Sequence, residues 1–445
     1  MLAILGLVLA AVVGAGVVVV MVMAARSKGK GEDGGGGGSG GSAMKRVILI
    51  SLDGFRPDYL EGRVATPGLD ALVAGGVSGE GMVPQYPSLT FPNHYSIVTG
   101  LHTESHGIIA NTFFSPVLDA IFTISSHAAV SNAEWWGGEP IWVSAIKAGL
   151  RACVYFWPGS EAPIDGVFPT QFFRYNKSVP YFERVDTILG WVDLPRDETP
   201  EFIALYMSAV DSAGHYYGPD SPQVDEAIAL VDSAIVRLMD GLDARGVLEE
   251  TDIIVVSDHG MAAVSPSRAL ALSSFVNLTS TPPHQLPADS AVSENALPAV
   301  SGAALTLSPL LQFWPESEED EILFYDAVHN RSPHLSLYRK DDLPARFFFN
   351  HTSRVPPIVG VLDLGWTLVA SQEDIPSVSG GAHGYDPEFS QMHALFVASG
   401  PSFLPTQSLP AFSNVDVYPL LCHLLSIPPA PNNGTLTPFL PHLRP

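Results

Sequence analysis

The sequence predicts an α/β fold in which a doubly wound, mostly parallel sheet carries helices on both faces. Apolar runs without period-two alternation are typical of strands buried on both faces, and such runs extend over 47–52, 202–210, 253–257 and 394–398. A helical pattern at 221–245 lies among them, with apolar residues at steps of three or four. Strands that alternate with helices indicate a sheet whose ligands gather at the carboxyl ends of the strands.

Size, charge and cysteine content restrict the class of protein. The 445 residues, of which 46% are hydrophobic, are sufficient for a large buried core. The net charge of -24 argues against binding of a nucleic-acid polymer, which requires Lys and Arg to displace counterions. A small anionic substrate remains compatible with this charge if metal ions supply positive charge locally. Because the chain has only Cys153 and Cys422, it can form neither a disulfide framework nor a Cys-rich zinc module.

The amino terminus predicts a membrane segment. Residues 2–25 carry no charge over 24 positions, which is long enough to span a bilayer. We therefore expect a single-pass anchor in residues 1–25, with a cleaved signal sequence as the alternative. Basic residues come directly after the apolar run, and by the positive-inside rule they favour a cytosolic location for the remainder of the chain.

Glycosylation signals favour the opposite side of the membrane. Five Asn-x-Ser/Thr tripeptides indicate an extracellular or lumenal domain, either anchored or secreted. They begin at Asn176, Asn277, Asn330, Asn350 and Asn433. The glycine tract at 34–41 has no side chains to pack, so we expect a flexible linker over 26–43 and one large folded domain over 44–440.

Three of the predicted strands end in a carboxylate, namely Asp53, Asp211 and Asp258. Each could be an ordinary turn residue or helix cap. That alternative is weaker for the three carboxylates taken together, because two of them have a histidine nearby in sequence. His215 follows Asp211 by four residues, and His259 follows Asp258 directly. Such a sheet edge indicates a cation site.

The sequence around these residues suggests which ion binds. We expect Asp211 and His215 to share one short loop in which a glycine turns both side chains toward one ion. His383, in a glycine-rich segment, completes a set of six Asp and His ligands. Mixed oxygen and imidazole ligands suit zinc better than magnesium. Two such ions about 4 Å apart would support in-line displacement at phosphorus.

Thr90 is the candidate nucleophile. Pro92 suits the first turn of a helix, so Thr90 is expected at or near the helix amino terminus. The partial positive charge there favours phosphate and stabilises an alkoxide. The alternative is that Thr90 is only an N-cap.

Six segments of the chain resemble the nucleotide pyrophosphatase/phosphodiesterase family of the alkaline phosphatase superfamily. They occur in the family's order and span nearly all of residues 44–440. The segments are ISLDGFR at 50–56, TFPNH at 90–94, HGIIAN at 106–111, FWPGS at 156–160, SDHGM at 257–261 and PAPNNGT at 429–435.

This resemblance implies two zinc ions in a phosphodiesterase catalytic domain over 44–440. Thr90 matches the nucleophile, which forms a phospho-threonine intermediate that water hydrolyses. Asn111 matches an amide that binds a phosphate oxygen; its alternative is an ordinary loop residue. The implied ligands are Asp53, Thr90, Asp258 and His259 for one zinc, and Asp211, His215 and His383 for the other.

The resemblance also implies a small-molecule substrate, a nucleotide or other phosphodiester, with release of nucleoside monophosphate from nucleotides. Phe91 and Tyr175 match the pair that holds a nucleobase, and Trp157 and Tyr206 match further pocket walls. Residues 125–132 lack the Lys that some nucleotide-cleaving relatives place in the pocket. The alternatives are a choline-phospholipid or glycerophosphodiester phosphodiesterase, and an inactive metal-bound receptor or adhesion ectodomain. The sequence offers no basis for naming a protein partner.

Overall fold

The structure is a computed structural model that describes residues 45–279 and 299–445. The predicted anchor over 1–25 and linker over 26–43 lie outside these residues. Within the two described ranges, every helix is too short or too polar to cross a membrane.

Strands and helices alternate along the first half of the described chain. In chain order the strands are β1 (Arg46–Leu52), β2 (Gly76–Gly79), β3 (Met82–Val83), β4 (Thr112–Ser115), β5 (Ala120–Thr123), β6 (Ala152–Tyr155), β7 (Gln171–Phe173), β8 (Phe202–Met207), β9 (Thr251–Val256), β10 (Ala262–Ala263), β11 (Ala269–Ala271), β12 (Asn277–Thr279), β13 (Ala299–Thr306), β14 (Leu310–Pro315), β15 (Leu335–Arg339), β16 (Ile358–Leu362), β17 (Thr367–Val369), β18 (Gly381–Ala382), β19 (Phe396–Ser399), β20 (Gln407–Leu409) and β21 (Phe412–Ser413). The α-helices are α1 (Pro67–Gly75), α2 (Thr90–Thr99), α3 (Thr103–His106), α4 (His127–Val130), α5 (Ile141–Lys147), α6 (Tyr181–Val192), α7 (Ala209–Tyr217), α8 (Pro222–Asp243), α9 (Glu318–Val328) and α10 (Val417–Leu425).

The predicted α/β sheet is confirmed. Eight strands form it in the order β20-β2-β19-β9-β1-β8-β6-β7. Strands β9, β1, β8, β6 and β7 run parallel to one another. The run at 394–398 was expected to belong to the parallel set, but β19 pairs antiparallel with β9. Pattern alone cannot give strand direction, because a strand buried on both faces has the same apolar run in either orientation.

The central strand β1 is buried on both faces, as its unbroken apolar run predicts. Val47 and Leu49 belong to the core on one face of the sheet. Ile48 and Ile50 belong to the core on the opposite face. Successive side chains of a strand point to opposite faces, so the two cores meet at this strand and fix the position of its carboxyl end.

Helix α8 confirms the pattern at 221–245, although it ends at Asp243. The side chain of Ser221 caps it by accepting a hydrogen bond from the Val224 N–H, and Pro222 occupies the first turn, where its missing N–H costs nothing. Val224, Ile228 and other residues of the apolar face are buried. This face packs against the sheet, in the same core as Ile48 and Ile50 of β1.

A second sheet has the order β12-β13-β14-β16-β15. It encloses a smaller core of its own with α9, whose Phe324 stacks on Phe313. The sequence pattern did not reveal this sheet.

Candidate active site

The ends of β1 and β9 and the start of α7 bring three carboxylates together. Asp53 directly follows β1, and Asp258 lies two residues beyond β9. The backbone N–H of Asp211 donates to the Asp53 carbonyl at 3.0 Å. Gly54 makes this approach possible: it has φ +69°, and a Cβ there would lie 2.8 Å from the Asp211 Cα. Only glycine fits this junction without displacing the chain.

Asp211 and His215 lie on a helix, so the expected short loop is wrong. Strand β8 ends at Met207, before the predicted end at 210, and α7 carries both residues one turn apart. Positions i and i+4 share one helix face, and His215 Nε2 lies 3.3 Å from Asp211 Oδ1. The glycine at 214 suggested a turn, but it packs closely on Met261.

Two overlapping groups of potential ligand atoms each lie within 4.8 Å of one another. One contains Asp53, Asp258 and His259, and the other contains Asp211, His259 and His383. The His259 ring stacks on the His383 ring with centroids 3.5 Å apart. His215 adjoins the second group, because its Nε2 lies 3.0 Å from His383 Nε2. The structure thus brings the six predicted Asp and His residues together.

The three histidines share one orientation. In His215, His259 and His383, Nδ1 faces a backbone carbonyl, which can only accept a hydrogen bond. The proton therefore lies on Nδ1, and Nε2 presents its lone pair to the centre of the cluster. Such outer hydrogen bonds orient histidines that bind metal. The distances are 2.9 Å for His215 to Gly381, 2.8 Å for His259 to Gly260 and 2.9 Å for His383 to Ser88.

Three buried carboxylate oxygens lack hydrogen-bond donors among the described residues. They are Asp53 Oδ1, Asp211 Oδ1 and Asp258 Oδ2. Burial of a polar atom without a partner costs free energy. A cation between the carboxylates and the imidazoles would offset that cost. The donor set therefore fits a divalent metal of the zinc type.

The close approach of charged groups in the cluster shifts the pKa values of Asp53, Asp258 and His383. Burial, followed by the charges of Asp258 and Asp211, raises the pKa of Asp53 well above its usual range. Burial also opposes ionisation of Asp258, but the charges of His259 and His94 outweigh it and hold the Asp258 pKa well below its usual value. Burial and the neighbouring histidines lower the pKa of His383 to about 3. His383 is therefore neutral at physiological pH, as a metal ligand must be.

Thr90 is the first residue of α2, which confirms the expected position at a helix amino terminus. Its side chain points into the cluster, with Oγ1 3.3 Å from His259 Nε2. The half-buried hydroxyl thus adjoins the first ligand group and the positive end of the helix dipole.

His94 is a site residue to which sequence reasoning assigned no role. It is fully buried, and its Nδ1 donates to the Thr90 carbonyl at 2.9 Å. Its Nε2 accepts from the Ser51 hydroxyl at 2.7 Å, and the ring lies 3.3 Å from an Asp258 oxygen. The available signal was the spacing in TFPNH, which places His94 one helical turn after Thr90.

Asn111 has the orientation that its expected role requires. Its side-chain oxygen accepts a hydrogen bond from the Phe91 N–H at 2.9 Å. The amide nitrogen is the end that remains to donate to a ligand, and Asn111 is only partly buried.

The four predicted aromatic residues differ in exposure. Tyr175 is 50% exposed, and its ring lies 6.0 Å from that of Tyr206, whose hydroxyl donates to Asp53 Oδ2. Phe91 is partly buried and packs near Phe122 in a different aromatic group. Trp157 is 2% exposed and donates its indole N–H to the His94 carbonyl, so it lies behind the site.

The chain is similar in sequence to phosphodiesterases. Residues 47–386 match the family described as type I phosphodiesterase / nucleotide pyrophosphatase. An uncharacterized pyrophosphatase/phosphodiesterase of Schizosaccharomyces pombe is 38% identical, with 89% of this chain and 80% of that protein covered. Ectonucleotide pyrophosphatase/phosphodiesterase family member 3 of Bos taurus is also 38% identical over 89% of this chain, which spans 44% of that protein's length.

Solved structures show the same fold. Human ectonucleotide pyrophosphatase/phosphodiesterase 5 has a TM-score of 0.81 and 32% identity, with 90% of this chain and 100% of that chain covered. An inactive variant of the murine protein, in complex with AMP, has a TM-score of 0.80, 32% identity and the same coverage. On the family match and these relatives, the chain belongs to the nucleotide pyrophosphatase/phosphodiesterase family of the alkaline phosphatase superfamily.

Proposed function

We propose that this protein hydrolyses nucleotide phosphodiester and pyrophosphate bonds and releases nucleoside monophosphates. The observation that carries the proposal is the position of Thr90, whose hydroxyl lies 3.3 Å from His259 at the edge of the Asp and His cluster. The names of the relatives support the same class of reaction, and the AMP complex of the murine neighbour supports a nucleotide.

Thr90 is the nucleophile in this proposal. Its Oγ1 attacks phosphorus, a bond from Thr90 oxygen to phosphorus forms, and the opposite bond to the leaving oxygen breaks. A water molecule then attacks the phospho-threonine from the vacated side and releases the nucleoside monophosphate. The leaving oxygen takes up the proton that Thr90 loses, and the attacking water supplies the proton that Thr90 recovers, so the two displacements balance. His94 holds the Thr90 carbonyl at 2.9 Å and thereby fixes the first turn of α2 during both steps.

The six Asp and His residues would hold two zinc ions, with Thr90 completing the site. When bound, these ions supply a lowered pKa for the threonine hydroxyl and positive charge for the phosphate oxygens. The amide nitrogen of Asn111 donates to a non-bridging phosphate oxygen, where negative charge grows during the attack. The positive end of the α2 helix dipole favours negative charge on the same oxygen.

The retained nucleoside binds next to the aromatic side chains. We assign the base to the space between Phe91 and Tyr175, with Tyr206 as a further wall and Trp157 as support behind His94. Phe91 contacts Phe122 and Tyr175 contacts Phe156, so the two rings belong to separate aromatic groups.

Hydrolysis of three substrates tests this proposal. The zinc-loaded full chain, with and without a chelator, is given a nucleotide diester, a nucleoside triphosphate and a choline phosphodiester. We expect chelator-sensitive release of nucleoside monophosphate. Cleavage of the choline diester alone would move the substrate to a choline lipid, and no cleavage by zinc-loaded protein would favour a binding ectodomain.

We also propose that residues 44–440 form the catalytic domain and face the exterior or a secretory lumen, held by residues 1–25. Relatives named ectonucleotide enzymes support this orientation. Asn176, Asn330 and Asn433 are exposed, as acceptors of N-linked glycans must be. Protease accessibility of the domain on intact cells tests the orientation, and full protection would contradict it.

A further inference from the structure

Arg184 is a buried cation behind the aromatic wall of the site. It lies on α6 and is 1% exposed. Its Nε donates to the Val179 carbonyl at 3.1 Å, and one terminal nitrogen donates to the Tyr206 carbonyl at 2.7 Å. In the described part of the chain, Arg184 forms no ion pair with an Asp or Glu. A buried guanidinium without a carboxylate is unusual, because its desolvation is not repaid by an opposite charge.

Aromatic rings take the place of the missing carboxylate. The guanidinium carbon lies 4.6 Å from the Tyr181 ring centroid and 5.0 Å from that of Phe156. Cations at this distance are attracted by the negative ring faces. The planar guanidinium can stack on both rings while its edge donates to two carbonyls, which the ammonium of lysine cannot do.

Phe156 and Tyr206 connect Arg184 to Tyr175, the exposed aromatic residue of the proposed base site. Phe156 meets Tyr175 edge-on at 5.4 Å, and Tyr175 meets Tyr206 at 6.0 Å. Phe156 has φ +69°, a left-handed conformation that non-glycine residues rarely adopt without support. Arg184 packs on the ring of Phe156 and donates to the backbone carbonyl of Tyr206. It therefore holds both aromatic neighbours of the Tyr175 ring.

We propose that Arg184 is a positioning residue that sets affinity for the nucleobase. It acts through Phe156 and Tyr206, which fix the Tyr175 ring at the orientation in which a base can stack on it. This role rests on the proposed nucleotide function. Among the described residues, the guanidinium makes no direct contact with Thr90 or with the Asp and His cluster. Its indirect route to the cluster runs through Tyr206, whose hydroxyl bonds Asp53.

Replacement of Arg184 by Lys separates this role from a general structural one. Lysine keeps the charge and can retain the bond to the Tyr206 carbonyl, which preserves the support of Asp53. It loses the planar stack on Phe156. The matched control is Arg237→Lys, which removes a guanidinium from another phenylalanine, Phe182, at 5.6 Å on the exposed surface.

Calorimetry on the zinc-loaded full chain compares AMP with ribose 5-phosphate, which lacks the base. In Arg184→Lys we expect the dissociation constant for AMP to rise about tenfold, or about 1.4 kcal/mol, and that for ribose 5-phosphate to stay within about twofold. Arg237→Lys should change neither. An equal loss for both ligands, or no loss, would overturn the role of Arg184, as would a wild-type chain that does not bind AMP.

A second variant covers the case in which Arg184→Lys fails to fold. Phe156→Leu keeps the guanidinium but removes the ring between it and Tyr175, and it should produce the same base-specific loss. Unchanged AMP affinity in Phe156→Leu also overturns the inference. The proposed function fails separately, when the wild type cleaves no diester, because both binding constants can be measured without turnover.

Discussion

The hydroxyl of Tyr206 donates a hydrogen bond of 2.5 Å to Oδ2 of Asp53. One residue therefore joins the aromatic wall of the proposed base site to a proposed metal ligand. The bond leaves Asp53 Oδ1 without a donor among the described residues and available to a cation. Because outer hydrogen bonds orient metal ligands, we expect this contact to couple the proposed substrate pocket to metal affinity.

Replacement of Tyr206 by Phe should weaken zinc binding about tenfold to a hundredfold, since Asp53 loses the donor that orients it. Competition with a calibrated chelator measures the dissociation constant. The control is Tyr385→Phe, which removes a buried hydroxyl that bonds the Trp366 carbonyl at 2.9 Å and not a proposed ligand. Equal zinc affinity in wild type and Tyr206→Phe would rule out the orienting role.

Replacement of Asn111 by Ala should lower kcat by about a hundredfold to a thousandfold, the usual cost of one oxyanion donor. The reason is that its amide nitrogen is the end free to donate once the oxygen accepts from the Phe91 N–H. Steady-state kinetics on a nucleotide diester measures the effect. Asn132→Ala is the control, because that side chain bonds the backbone and the carboxylate of Glu134 on a short surface turn. A change confined to KM would contradict an oxyanion role.

Replacement of His383 by Gln or of Asp258 by Asn should reduce bound zinc per chain, because each removes a ligand of the overlapping groups. Elemental analysis after dialysis measures the stoichiometry. His334→Gln is the control, since His334 is paired with Asp363 and stacked on Trp366 elsewhere. Wild-type zinc content in both ligand variants would refute the assignment.

Uptake of zinc by the metal-free protein should release protons, and more of them at about pH 6 than at about pH 9. Burial lowers the pKa of His215 and His259, but the adjacent carboxylates of Asp211 and Asp258 outweigh it, so both pKa values are raised. Below a raised pKa the imidazole holds a proton that zinc must displace; above it there is none to displace. Zinc affinity should therefore fall as the pH falls.

A pH-stat titration of metal-free protein with zinc counts the released protons. Proton release that does not depend on pH would show that zinc does not displace protons from His215 and His259.

The sequence predicted most of what positions the site. Runs of buried apolar residues predicted β1 and β9, and the carboxylates at their ends followed from the geometry of parallel sheets. Thr90 was expected at a helix start because Pro92 fits a first turn, and α2 begins there. These inferences succeeded because each depends on local pattern.

Features that depend on tertiary packing could not be predicted. The glycine at 214 suggested a loop, whereas it lets α7 pack closely on Met261. The antiparallel direction of β19 and the existence of the second sheet depend on partners distant in sequence. His94 gained a role only when the fold placed Ser51 and Asp258 against its ring.

The most direct test of the account is the fate of Thr90 during turnover. Zinc-loaded full chain is mixed with a nucleotide diester, quenched in acid within the first turnovers and digested for mass spectrometry. We expect nucleoside monophosphate attached to the peptide that contains Thr90. We expect Thr90→Ala to lose about three orders of magnitude or more in activity, while it keeps its zinc and its thermal unfolding temperature. Wild-type activity in Thr90→Ala, or a covalent adduct on another residue, would contradict the central claim.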